Sequence, residues 1–320
     1  MRLSHAIAPG LSAIALALLP SPTFACSSCG CSLSSDWASQ GYASAEGWRF
    51  DLRYDYFNQD DLRSGTSRVD RASLEIPNER EIQQSTVNRS YFATLDYSPN
   101  ADWGVSLTLP YSDRFHTTIA PGDTDVSVSH GKGLGDVRLM SRYTAITEAH
   151  DVGVQAGIKL ATGRFHDTFI DGPQAGQPLD RGLQLGTGTT DLILGIYNFG
   201  SIDPRWEYFD QALLQLPLNS REGFKPGNGF NANFGIRYVA YPDVVPQLQV
   251  NIRVEGREKG VNADTENSGA TLAYLSPGVA MSFGRDLQGY AFIQVPVYQH
   301  VNGLQIEPRY TASIGLHFAF

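Results

Sequence analysis

Three features of the sequence predict an all-β fold, a twelve-stranded antiparallel transmembrane β-barrel. Apolar and polar side chains alternate in short segments along most of the chain. The connections between those segments alternate between short turns and long polar loops. The last segment is apolar on one face and stops on an aromatic residue, Phe320. A strand turns successive side chains to opposite faces, so in a membrane barrel one face meets lipid and the other lines the lumen.

The first 25 residues stand apart from this pattern. Arg2 and His5 precede the apolar run Leu11 to Leu19, and Pro20 and Pro22 break that run before Thr23-Phe24-Ala25. An apolar stretch this brief, with a positive start and a small-residue exit, predicts a secretory signal peptide over residues 1–25. Residues 26–45 then form a cysteine-containing leader or plug, and residues 46–320 the barrel. No later stretch approaches the ~20 apolar residues of a membrane-crossing helix. The formal charge of -9 argues against nucleic acid as a partner.

Segment by segment, the alternation is regular. In WRFDLRYDYF, Phe50, Leu52, Tyr54 and Tyr56 share one face, while Arg49, Asp51, Arg53 and Asp55 take the other. The stretches 90–97, 103–111, 136–143 and 152–160 repeat the pattern, as do 190–199, 206–218, 230–241 and 247–255. The last three lie near 271–283, 290–298 and 310–320. Each is close to the ~9–11 residues needed to cross a bilayer at the usual tilt. Short turns fall at SPNAD, TEAHD, GSIDPR, YPDVVP and GRDLQ, and long loops near 58–88, 112–134, 161–188, 219–229 and 256–269, with a medium one at 299–309. This sorting predicts short periplasmic turns and long extracellular loops in the outer membrane of a Gram-negative bacterium, with both mature termini periplasmic. Trp48, Trp103, Tyr111, Trp206, Tyr241, Tyr298 and Tyr310 sit near expected strand ends, as an interfacial girdle requires.

Two stretches carry a resemblance. GKGLGDVRLMSRY (131–143) and KLATGRF with LQLGTGTTDLILGIYNF (within 159–199) resemble the outer-membrane family of meta-pathway phenol-degradation proteins. The matching features are Gly133-Leu134-Gly135-Asp136 leading into a strand, Thr162-Gly163 after one, and Gly186-Thr187-Gly188 before another. The resemblance covers about a fifth of the chain. It implies a barrel related to transporters encoded near aromatic catabolism genes. The final YTASIGLHFAF resembles the terminal strand of outer-membrane proteins generally, which implies that barrel-insertion machinery reads Phe320.

The expected function is a channel or transporter passing a small solute, aromatic or ionic, with outer-membrane lipid around it and no chemical step. Arg49, Asp51, Arg53, Asp55, Arg138, Arg142, Lys159, Arg237, Arg253 and Glu255 are the expected lumen residues. Mixed charge of this kind can orient an ionic solute, or pair internally and fill the barrel, alone or with an inward-folded loop. The runner-up is a metal- or redox-linked barrel. Cys26, Cys29 and Cys31 are the chain's only cysteines, and thiolates suit copper(I) or zinc. His150 is the one histidine expected on their side. A disulfide between two of the three, lipid on Cys26, thiol exchange, docking of a periplasmic partner or no role at all are the other readings. CSSCG lacks the histidine of a haem-attachment motif. His116, His130, His166 and His300 are expected in external loops and His317 on the lumen face. No Ser with a fixed His and acid forms a recognisable catalytic set.

Overall fold

Alternation becomes a closed wall. The computed structural model describes residue 40 and residues 46–320. The strands are β1 (Gly47–Gly65), β2 (Ser67–Arg68), β3 (Ile82–Ser98), β4 (Trp103–Ile119), β5 (Ser127–Leu134), β6 (Arg138–Tyr143) and β7 (Val152–Lys159), followed by β8 (Asp191–Asp203), β9 (Trp206–Pro217), β10 (Gly229–Tyr238), β11 (Val244–Glu255), β12 (Ala270–Ser282) and β13 (Leu287–Ala319). Eleven of these pair in antiparallel succession, and pairing of β13 with β1 closes the ring. Closure leaves no unpaired edge, which matters where no water can satisfy backbone groups. β2 folds back on the end of β1, and β5 extends the β4 ladder beyond β6.

The outward face is apolar along the middle of the wall. Leu52, Val105, Leu139, Ile196, Phe234, Ile252, Val295 and Ile314 are exposed there. Rings cluster at the short-turn end, where Trp48 stacks on Tyr97 at 4.5 Å and Trp103 lies 4.7 Å from Tyr143. Tyr54, Tyr91 and Tyr111 form a second row toward the other end. Eight residues separate Trp103 from Tyr111 on β4, roughly 27 Å along the strand, which at the usual tilt is a height of about 20 Å, close to the ≈25 Å apolar band of such barrels.

Beyond the second row the strands continue. β1, β3 and β4 run 19, 17 and 17 residues, longer than the expected 8–12. The ladders simply persist above the apolar band, so the loops expected at 58–88 and 112–134 shrink to residues 66–81 and 120–126. There Leu62, Ile82, Ile119, Leu304 and Ile306 form a small core, with Val69 and Leu74 packed on it. Arg71 ties the covering segment down by donating to the carbonyls of Asp60, Gln83 and Gln84.

The strand count also differs from expectation, and β13 is the reason. This 33-residue element pairs β12 through residues 288–301 and β1 through residues 301–319. A straight strand of that length would measure about 110 Å. Instead Tyr290 lies against Gly315 and Gly289 near Leu316. The chain reverses at Asn302-Gly303, where Gly303 holds φ +61°. The medium loop expected at 299–309 is therefore a tight reversal inside continuous pairing.

Rings fill part of the inner wall. Tyr197, Phe209, Phe292 and Tyr290 are buried inside the barrel, each lying on a glycine of the neighbouring strand: Gly153, Gly235, Gly278 and Gly315. A Cβ at Gly235 would sit 2.2 Å from Phe209 Cζ. These glycines are there for lack of a side chain, which lets a ring lie flat on the neighbouring backbone.

Candidate solute cavity in the barrel

The inward face of the barrel encloses a cavity of about 380 Å³. Nine of the ten expected lumen residues line it: Arg49, Asp51, Arg53, Asp55, Arg138, Arg142, Lys159, Arg253 and Glu255. Arg237 also faces inward, but it lies outside the cavity and donates to Glu207 at 2.6 Å.

Most of these charges are engaged within the wall. Asp96 on β3 accepts from Arg49 Nε at 2.8 Å and from Arg142 on β6. Arg53 pairs with Asp55 at 3.2 Å, and its guanidinium lies 4.4 Å from the centre of the Phe92 ring. Arg253 pairs with Glu255 on the same strand. Tyr290 donates to Asp51 at 3.1 Å. A charge removed from water needs such partners, since the uncompensated cost is several kcal/mol per ion.

Residues 160–190 turn into the barrel mouth rather than away from it. Arg114, inward on β4, donates to the carbonyls of Leu183 and Gln184 at 2.9 and 3.1 Å. The segment includes a short 3-10 turn (Arg181–Leu183), and Gln184, Leu185, Gly186 and Thr187 form part of the cavity lining.

One junction anchors this segment. Lys159 Nζ donates to Asp136 at 2.7 Å and to the carbonyl of Thr189 at 3.0 Å, with Asp191 at 3.3 Å. Asp136 also accepts from the backbone N–H groups of Gly163 and Thr187, both at 2.9 Å. Gly163 and Gly186 touch backbone to backbone, where a Cβ on Gly186 would fall 2.4 Å from the Gly163 carbonyl oxygen. The three motif pieces Gly133–Asp136, Thr162-Gly163 and Gly186–Gly188 thus meet at one point.

A second contact holds the segment from the neighbouring β9–β10 connection. The Arg181 guanidinium lies between the Phe165 and Phe224 rings, at 4.4 and 4.9 Å, and 3.5 Å from Glu222. Glu222 also pairs with His166 at 3.0 Å. The hydrogen bond from His166 holds the Glu222 carboxyl below its ordinary range. Nearby, the carboxyl groups of Asp180 and Glu81 share a hydrogen bond. Surrounding protein, then the carboxylates of Glu81, Asp264 and Glu258, push Asp180 up to about 8. Hydrogen bonds and the charge of His116, with bonds from Thr118 and Gln83, outweigh burial at Glu81 and hold its carboxyl low.

The remaining expected residues fall as follows. Cys26, Cys29 and Cys31 lie outside the described residues. His150 sits in the turn after β6 at φ 56°, its Nδ1 3.6 Å from Asp102. Among the described residues no group of three His, Cys, Asp or Glu side chains is placed to hold a metal. His116 differs from expectation, being fully buried on β4 and bonded to Thr86 at 2.7 Å. His130 and His300 lie on β5 and β13 rather than in loops, because those ladders run on past the apolar band. His317 lines the cavity. Asp96, Arg114 and Asp191 escape the sequence reading; the even-numbered alternation of β3 and β4 would have placed the first two inward.

No known family profile matches the chain, and no curated protein matches it. Among solved structures, an outer membrane channel from Pseudomonas putida F1 superimposes with a TM-score of 0.65 at 12% identity, over 87% of this chain and 97% of that one. The chain has the fold of outer-membrane β-barrels. The β domain of the Bordetella autotransporter BrkA also matches, with a TM-score of 0.50 at 13% identity, over 86% of this chain and all of that one. At these identities the likeness is one of fold. The phenol-degradation resemblance continues to rest on the motif residues alone.

Proposed function

We propose that this chain is an outer-membrane channel passing a small solute through its charged lumen, with no chemical step. One observation carries the reading: a closed barrel with an apolar outer band encloses a cavity lined by nine charged residues expected to face the lumen. A purely structural barrel has no need of a polar cavity beneath an inward-turned segment. The solved structure of an outer membrane channel over nearly the whole chain supports the same role.

Counting β13 as a hairpin about Asn302-Gly303 gives twelve strands, an even number as bacterial barrels have. On that count both ends of the barrel lie with the short turns, the periplasmic side in this reading. Phe320, outward and exposed, is then the residue the insertion machinery would read.

Swelling of liposomes carrying the full chain tests the proposal. The expected result is faster swelling in small solutes than in larger ones of the same class. Swelling no faster than in protein-free liposomes, from a chain shown to be folded by its heat-dependent gel mobility, would overturn it.

A further inference from the structure

The geometry points to a binding site for a small carboxylate with an apolar body, centred on Arg138 in the cavity wall. The inference rests on the channel reading and names the class of solute.

Register places the site. Asp51, Thr94, Thr108, Arg138, Lys159 and Asp191 are successive cross-strand partners on β1, β3, β4, β6, β7 and β8. All but Thr94 and Thr108 carry charge, and all six line the cavity. The carboxylates near Arg138 are occupied elsewhere. Asp191 accepts from Thr189 and Gln215 and pairs with Lys159. Asp136 is taken by Lys159, Gly163 and Thr187, and Asp96 by Arg49 and Arg142. Among the described residues Arg138 makes no ion pair or side-chain hydrogen bond, although every other cavity-lining Arg and Lys does. A guanidinium left facing a cavity offers a planar fork of donors, which suits a carboxylate bidentately. Beside it, the Thr94 and Thr108 hydroxyls lie 2.9 Å apart and supply one further donor.

The surroundings define the rest of the solute. Pro110 packs on Gly135, three residues before Arg138, and the Leu185 side chain lies over Gly131 and Gly133 on the same side, while Met140 lies two residues beyond Arg138, packed on Gly157. Phe92 is the cross-strand partner of Pro110. The charged head is therefore bracketed by apolar surface. A cavity of about 380 Å³ lies within the range of small-molecule sites.

Two measurements on the full chain test the site, with benzoate as probe. In planar bilayers under a potassium chloride gradient, wild-type protein should favour chloride, Arg138→Gln should lose most of that preference, and Arg138→Glu should invert it. Benzoate should reduce the chloride current at concentrations at least fivefold lower for wild type than for Arg138→Gln. Arg138→Lys should recover the charge preference but not the benzoate effect. Saturation-transfer NMR on protein in detergent reads benzoate binding without current. If wild type carries no current but transfers saturation to benzoate, and Arg138→Gln does not, the channel reading falls and the site stands. Unchanged selectivity and unchanged saturation transfer in both Arg138→Gln and Arg138→Glu would overturn the site while leaving the channel intact.

Discussion

Asp136 is the residue on which the inward segment depends most. Removing its carboxylate in Asp136→Ala leaves Lys159 with Asp191 as its one carboxylate partner and strips acceptors from two backbone N–H groups. Leaving a buried donor without an acceptor costs about 1–3 kcal/mol. The expected outcome is that trypsin cleaves after Arg164 or Arg181 at least tenfold faster in the variant, measured on protein in detergent. Equal cleavage rates would show that the junction does not hold the segment. The residues of this junction were visible in the sequence as three separate motif pieces. Their meeting was not, because a contact between positions 136, 163 and 187 depends on where a long loop travels, and alternation says nothing about loops. Arg138 was legible as a lumen residue from its place opposite Leu139. That it alone among the cavity-lining cations has no partner among the described residues could be known only once its neighbours were placed.

At the scale of single elements, the strands were legible and their ends were not. Alternation marks where side chains must suit lipid on one face and water on the other, so it fades where the ladder rises out of the membrane. β1, β3 and β4 continue there on backbone pairing, and His116, expected in a loop, is buried in β4. The two last expected strands are joined by a tight reversal at Asn302-Gly303 where a medium loop over 299–309 was expected. The glycines of the inner wall make a prediction at this scale. In Gly235→Ala the new methyl would meet the Phe209 ring, and overpacking of this kind costs typically 1–3 kcal/mol. The variant should lose its compact, fast-migrating form at a lower temperature than wild type in heat-modifiability gels. An unchanged transition would mean that the ring does not lie on Gly235. Arg181→Ala should act on the loops instead, freeing residues 160–190 from Phe165, Phe224 and Glu222 while leaving barrel stability unchanged.

For the molecule as a whole, the barrel is a closed, continuously paired wall, and the inward segment is attached to it by side-chain junctions. Its docking should depend on pH through Asp180. That carboxyl has its value raised from an ordinary 3.8 to about 8. The stability it contributes is therefore complete below the ordinary value and is lost as pH rises through about 8. Glu81 has the opposite sign: its lowered value contributes stability above its ordinary 4.5, lost as pH falls through the folded value. Docking through this group should weaken as pH climbs from about 4 to about 8 and level off above that, with conductance rising over the same range. Asp180→Asn should abolish this rise; an equal rise in that variant would assign it to another group. The closed barrel and its charged interior could be read from the sequence because one rule, a period of two, governs the whole wall. The gating geometry could not, because it comes from four separate loops and strand ends meeting at the mouth.

The most direct test of the central claim is solute flux compared between the wild-type chain and Asp136→Ala. Both are reconstituted at equal density in liposomes and followed by swelling in a small polar solute. A passage obstructed by residues 160–190 predicts measurable swelling for wild type and several-fold faster swelling for the variant. No swelling above protein-free liposomes from either, with both barrels folded, would contradict a passage through this lumen.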